Sequence, residues 1–155
     1  MNNAKLVSYI NSHGWWRTAL PDEKAVKARG VFYASSFREA EFYGRPLDTP
    51  FRVHVTNPLF GDEPTIMQAL GLSLPPDNIP VKERFSLDAK MKGLAAAKGY
   101  DSIALATPNA YKKYAEASRV PNSIELQVFS EAAQRRVDYP EARLRDRTFR
   151  QGRRP

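Results

Sequence analysis

The sequence predicts a single α+β domain, with helices early in the chain and strands scattered through it. Three observations carry that expectation. The chain has 155 residues, which suits one core. Hydrophobic residues make up 42% and aromatics 11%, enough to fill that core. Apolar residues recur at helical spacing in some segments and alternate in others, without a regular strand–helix–strand rhythm.

Along the chain, residues 4–12 place Leu6, Val7 and Ile10 on one face and predict a short helix that Gly14 ends. Residues 15–20 (WWRTAL) predict a strand that contains Arg17. Residues 21–29 are polar and read as a loop with a helical turn. Residues 31–34 (VFYA) are a short aromatic strand. Ser36 with Glu39 has capping-box spacing, so a helix is expected from Phe37 until Gly44 and Pro46 end it.

Residues 51–55 (FRVHV) alternate as a half-buried strand does, and Asn57-Pro58 closes it. Residues 62–70 suggest a helix. Residues 73–80 (SLPPDNIP) are proline-rich and read as a loop. Leu87, Met91, Leu94 and Ala95 share one helix face, with Gly99 as its cap. Residues 102–106 (SIALA) are a strand, 109–119 are polar and helical or loop-like, and 124–129 (IELQVF) are the last clear strand.

The formal charge is +7, unevenly spread. Residues 131–155 hold eight arginines (Arg135, Arg136, Arg143, Arg145, Arg147, Arg150, Arg153, Arg154) against four acids (Glu131, Asp138, Glu141, Asp146), and so carry +4. The domain is therefore expected at 1–130, followed by a basic, partly disordered tail at 131–155. Such a tail suits nucleic acid or an acidic partner, or is simply a solvated end. There are no cysteines, which excludes disulfides, thiolate metal sites and a cysteine nucleophile. With His13 and His54 as the only histidines, no metal site is expected. No apolar run of membrane-spanning length exists, and the start of the chain lacks a signal-peptide layout. A cytoplasmic protein with no membrane contact is the expectation; oligomeric state is left open.

The chain has no G-x-S-x-G, no P-loop and no G-x-G-x-x-G. What remains is a set of polar residues within or beside short strands: Arg17, Tyr33, Ser35, Ser36 and Glu125, with Tyr43 on the following helix. In SIELQVF, Ile124, Leu126 and Val128 share one face, while Glu125, Gln127 and Phe129 share the other, so Glu125 points away from the most apolar face. Taken singly, Phe32, Tyr33 and Tyr43 read as packing residues, Glu125 as a solvated strand residue, and Arg17 as a cation–π partner of Trp15 or Trp16.

Taken in order, GVFYASS, the helix ending in FYG, the V…NPL of FRVHVTNPLF, KGYDSI and ELQVF resemble the ADP-ribosyltransferase superfamily, in particular its small bacterial and phage members. The resemblance spans residues 13–130. It implies a split pair of β-sheets around an NAD cleft, with short flanking helices. NAD would be the co-substrate and a protein or nucleic acid the acceptor, with the arginine-rich tail a possible nucleic-acid contact. Glu125 would be the catalytic carboxylate, hydrogen-bonding the ribose and stabilising positive charge as nicotinamide leaves. Tyr33 and Tyr43 would pack on the nicotinamide ring, Ser35 would hold the site together, and Arg17 would pair with the phosphates.

His13-Gly14 and Arg17-Thr18 both match a version of the family's first motif. Arg17 is preferred because His13 ends a helix. The tyrosine spacing is one residue shorter than in the diphtheria-toxin-like branch. Ser123 stands two residues before Glu125, where the arginine-modifying branch has an acid or Gln; this departure does not favour transfer to protein arginine. Two other classes stay open. One is a non-catalytic basic binding module on the same fold. The other is a metal-independent ribonuclease using Glu125 with His13 or His54.

Overall fold

A computed structural model describes residues 3–18, 23–41, 44–47, 49–130 and 134–136. At a coarse level the α+β expectation holds. Its centre is a four-stranded sheet in the order β1-β5-β4-β3, built from β1 (Val31–Ala34), β5 (Glu125–Val128), β4 (Ser102–Leu105) and β3 (Pro58–Gly61). The β1–β5 and β5–β4 pairs are antiparallel. β4 and β3 are parallel and are joined through α4 (Glu63–Ala69) and α5 (Val81–Ala97). A second sheet pairs β2 (Phe51–Val53) with β6 (Gln134–Arg136).

One dipeptide ties the two sheets together. Trp15 exchanges backbone hydrogen bonds with Phe51 (2.8 and 2.6 Å), and Trp16 with Ala34 (2.9 and 2.7 Å). Successive residues of an extended chain bond to opposite sides. Here each side meets a different sheet, so pairing stops after one bridge apiece. The strand expected over 15–20 is thus corrected to two isolated bridges. Arg17 already lies outside them, its carbonyl accepting from the Leu47 N–H at 3.0 Å. Residues 19 and 20 lie outside the described residues.

The sheet separates two packed layers. On one face Val31, Tyr33, Leu126 and Val128 pack with Leu6 and Ile10 of α1 (Ala4–Ser12), Tyr114 of α6 (Pro108–Ala117) and Phe51 and Val53 of β2. Complete burial of a side chain such as Leu6 or Ile10 contributes roughly 1.5–3 kcal/mol. On the other face Leu59 and Ile103 pack under Ile66 of α4, Leu70 at its C-cap and Ala95 of α5. The alternation read in IELQVF is therefore real: Ile124, Leu126 and Val128 are buried in the first layer, and Glu125 and Gln127 face the second.

Local signals set most boundaries. The Glu39 N–H donates to the Ser36 hydroxyl, which donates to the Glu39 carboxylate, at the start of α3 (Phe37–Glu41). Asp62 caps α4 by accepting from the Thr65 N–H at 2.9 Å, and Thr107 caps α6 through the Ala110 N–H. Gly99, at φ +93°, follows the end of α5. The motif pieces NPL and KGYDSI meet in space: the Asp101 carboxylate accepts from the Thr56 and Asn57 N–H groups and the Thr56 hydroxyl, and fixes the start of β3 beside β4.

Three elements differ from the sequence expectation. α2 (Glu23–Arg29) is a helix where a loop with a turn was expected; EKAVKAR is rich in helix formers but offers one buried apolar residue, Val26, too few for a periodic signal. The Asn57-Pro58 pair suggests a strand closure, yet Pro58, Leu59, Phe60 and Gly61 form β3 and are all buried in a parallel pair. Such strands show no alternation, and proline is tolerated at the first position. β6 falls at 134–136, inside the expected tail; residues 137–155 and most of its arginines lie outside the described residues.

Candidate active site

A cavity of about 540 Å³ opens over the second face of the four-stranded sheet. Its floor comes from three strands. Phe32 and Ala34 of β1 stand opposite Gln127 and Glu125 of β5, which in turn stand opposite Ile103 and Leu105 of β4. Directly opposed residues share a face, so Glu125 lies on an apolar floor beside Ala34 and Leu105. The roof is α4, α5 and the end of α2, which bring Ile66 and Met67, Arg84, Phe85, Asp88 and Met91, and Arg29. No described side chain of β2 lines the cavity. Among the described residues, the strands that line the cavity belong to one sheet, and helices cover it.

Arg17 enters from the place where the two sheets part. It is 5% exposed and lines the cavity. Its Nε and Nη1 find no hydrogen-bond partner among the described residues. The guanidinium lies 4.7 Å from the Phe51 ring centroid and 5.8 Å from that of Tyr33, so its aromatic partners are these two and not Trp15 or Trp16. Aromatic faces offset part of the cost of burying a cation. They do not satisfy its N–H groups, and buried charges are normally paired.

The other expected site residues divide into two groups. Glu125 lines the cavity with Arg17. Tyr33 borders it too, but is 2% exposed, and its ring packs 5.9 Å from that of Phe51 in the core. The aromatic ring on the Glu125 side of β1 is that of Phe32. Ser35 does not line the cavity. Its hydroxyl donates to the Ile124 carbonyl (2.9 Å) and accepts from the Ile124 N–H (2.7 Å), which pins the end of β1 to the residue before Glu125. His13 is also absent from the cavity wall. Its Nε2–H donates to the Ser35 carbonyl at 2.6 Å, and its ring stacks on Tyr9 and meets Trp15 edge-on. Tyr43 lies outside the described residues.

Four polar contributors were not legible beforehand. Arg84 and Asp88 are one turn apart on α5, and the Arg29 guanidinium stacks 3.8 Å from the centroid of the half-exposed Phe85 ring. Burial pushes the Asp88 carboxyl up to about 6, against the opposing pull of Arg84 and Arg29. Glu63 enters from the first turn of α4. The signal was present in α5, where Arg84, Asp88 and Met91 follow helical spacing, but charges mixed into that face conceal it from a search for apolar stripes. Gln127 shares the floor with Glu125, yet its amide serves the frame, donating to the Arg29 carbonyl (2.8 Å) and more weakly to that of Asp88 (3.3 Å).

Beyond Glu125 the cavity continues into an adjoining groove of about 880 Å³. Ala34, Glu63, Leu105 and Glu125 line both. Leu74, Pro75 and Asp77 of the proline-rich loop form one wall of the groove, and Arg38, Glu39 and Ser123 another. Among the described residues no cluster of His, Cys, Asp and Glu is placed to hold a metal ion, and no helix is long and apolar enough to cross a membrane. No protein-family model matches this chain, and no curated protein or solved structure matches it either.

Proposed function

We propose that this chain is an NAD-dependent ADP-ribosyltransferase, with Glu125 as its catalytic carboxylate and a protein or nucleic acid as acceptor, in the manner of small phage or effector enzymes. The observation that carries the reading is the convergence of Arg17 and Glu125 on one cavity: a buried cation whose Nε and Nη1 find no acceptor among the described residues, and a carboxylate on an apolar floor. The volume of about 540 Å³ lies within the roughly 300–1,000 Å³ usual for small-molecule sites. A dinucleotide with a charged pyrophosphate and a flat aromatic end fits this chemistry.

In this reading Arg17 binds the pyrophosphate, which offers acceptors to the Nε–H and Nη1–H that find none among the described residues. Phe32 and the apolar floor offer area to the nicotinamide ring and keep water from the reacting carbon. The reaction breaks the bond between the ribose and nicotinamide, and nicotinamide leaves neutral with the bonding electron pair. Glu125 orients the ribose through a hydrogen bond and stabilises the positive charge that develops there. The acceptor supplies the new bond and releases a proton. Ser35 acts through the backbone, holding Ile124 and hence the position of Glu125. The split-sheet architecture of the resembled family belongs to the same proposal; two sheets joined at Trp15-Trp16 support it.

The ribonuclease alternative needs a histidine beside Glu125, and neither His13 nor His54 lines the cavity. The test is nicotinamide release from NAD, and transfer of labelled ADP-ribose to macromolecules of a lysate, by the parent chain and by Glu125→Ala. Label that is lost in the variant supports the proposal. An NAD titration without binding, together with absent turnover, refutes it and leaves the non-catalytic binding module.

A further inference from the structure

We infer that the groove beyond Glu125 receives a positively charged polypeptide segment, which makes the acceptor a protein surface and not a nucleic acid. As a statement about the acceptor this rests on the transferase reading; as a docking surface it stands on the groove itself.

The groove opens onto the same carboxylate that lines the cavity, so a chain lying in it reaches Glu125 without entering the Arg17 side. Its floor is apolar, with Ala34, Leu105, Ala106 and Ile124. Leu74, among the few large apolar side chains exposed in the described residues, stands on its wall at 56% exposure. Charge decides the occupant. Among the described residues, Glu39, Glu63, Asp77 and Glu125 line the groove against one cation, Arg38. The chain as a whole carries +7, yet the formal balance of these lining residues is three negative charges. A phosphate backbone laid along this wall meets like charge, whereas lysine or arginine side chains meet opposite charge.

The wall is also held in place before anything binds. Glu39 Oε1 accepts from the Ser36 hydroxyl at 3.1 Å, and Oε2 accepts from the Ser123 hydroxyl. The first bond is local to the start of α3 and the second crosses to the segment leading into β5, so together they orient this carboxylate along the groove wall. An extended segment with apolar and basic side chains fits the floor and the rim together. With it in place, its nucleophilic atom forms the bond to the ribose carbon as nicotinamide leaves with the electron pair, and its proton passes to solvent.

The test uses the full chain and a fluorescent peptide of mixed apolar, lysine and arginine residues, with a glycine–serine peptide and a single-stranded RNA of equal length as controls. Binding is read by anisotropy, and labelling with and without NAD. Reversal of the exposed Asp77 to Lys exchanges an attraction for a repulsion, and basic-peptide affinity is expected to fall about tenfold. Glu39→Gln, which keeps a partner for Ser123, is expected to weaken it less. Basic-peptide affinity no better than that of the neutral peptide, unchanged affinity in Asp77→Lys, or labelling of the RNA in place of the peptide each overturns the inference. Acceptor-free nicotinamide release by the parent chain reports on the transferase reading separately. If it is absent while Asp77-dependent peptide binding persists, the docking surface stands and the enzymatic reading falls.

Discussion

Replacement of Arg17 by Met separates a ligand-binding guanidinium from a structural one. In the free protein, Arg17 is buried with Nε and Nη1 lacking acceptors among the described residues, a cost of about 1–3 kcal/mol for each unsatisfied group. Its contacts over Phe51 and Tyr33 return about 0.5–2 kcal/mol each. Methionine keeps much of the packing and removes both contributions, so the net change in stability is small, within about 1–2 kcal/mol of zero. For a chain of this length about 1 kcal/mol moves Tm by roughly 2–4 °C. Affinity for NAD responds differently. Loss of a hydrogen bond to a charged phosphate costs about 1.5–3 kcal/mol, or roughly 10- to 150-fold in Kd. Calorimetric titration with NAD and a thermal melt of the same samples read both quantities. A fall in Tm of about 10 °C or more with NAD affinity unchanged would show Arg17 to be a strut between the aromatic rings, and would refute the reasoning.

Asp88→Asn is expected to raise Tm at pH 7–8 and to leave it nearly unchanged below about pH 4, because burial raises the Asp88 carboxyl to about 6 from an unfolded value of about 3.9. The native state holds that proton more tightly, so the parent loses stability as pH rises between those two values; melts across pH 3–8 check the sign. Ser35→Ala removes both hydrogen bonds to Ile124 and should cost about 2–4 kcal/mol in urea unfolding, with nicotinamide release reduced because Glu125 follows directly. Gly30→Ala should destabilise by at least about 2 kcal/mol in the same assay. The residue is at φ +76°, and a Cβ there would run into the Val128 carbonyl of the neighbouring strand.

Much of the local structure was legible because it depends on near neighbours in sequence. The caps at Ser36 and Gly99, the helix near 62–70, the proline-rich loop and the alternation of IELQVF each follow from residues a few positions apart. The alternation was enough to place Glu125 on the face opposite Ile124, Leu126 and Val128. Face assignment also limits the reading of the first strand: once Ala34 stands opposite Glu125, Phe32 joins it and Tyr33 turns to the core. That pairing register was not available from either strand alone.

The rest depended on distance in sequence. β3 and β6 exist because of the partners they pair with, and their own residues carry no alternating signal. Trp15-Trp16 became a link between two sheets because each residue bonds to a different one, 18 or more positions away. Arg29, Arg84 and Asp88 reach the cavity from helices whose charged faces resemble ordinary solvated surface. The sequence by itself determined four of the helices (α1, α3, α4 and α5), the loop and the face that Glu125 occupies, since backbone preference and period are local properties. Only the tertiary structure decided which arginines face the cavity, that the cavity lies under helices, and that an acidic groove adjoins it in a basic chain. Those outcomes are set by packing between segments far apart in the sequence.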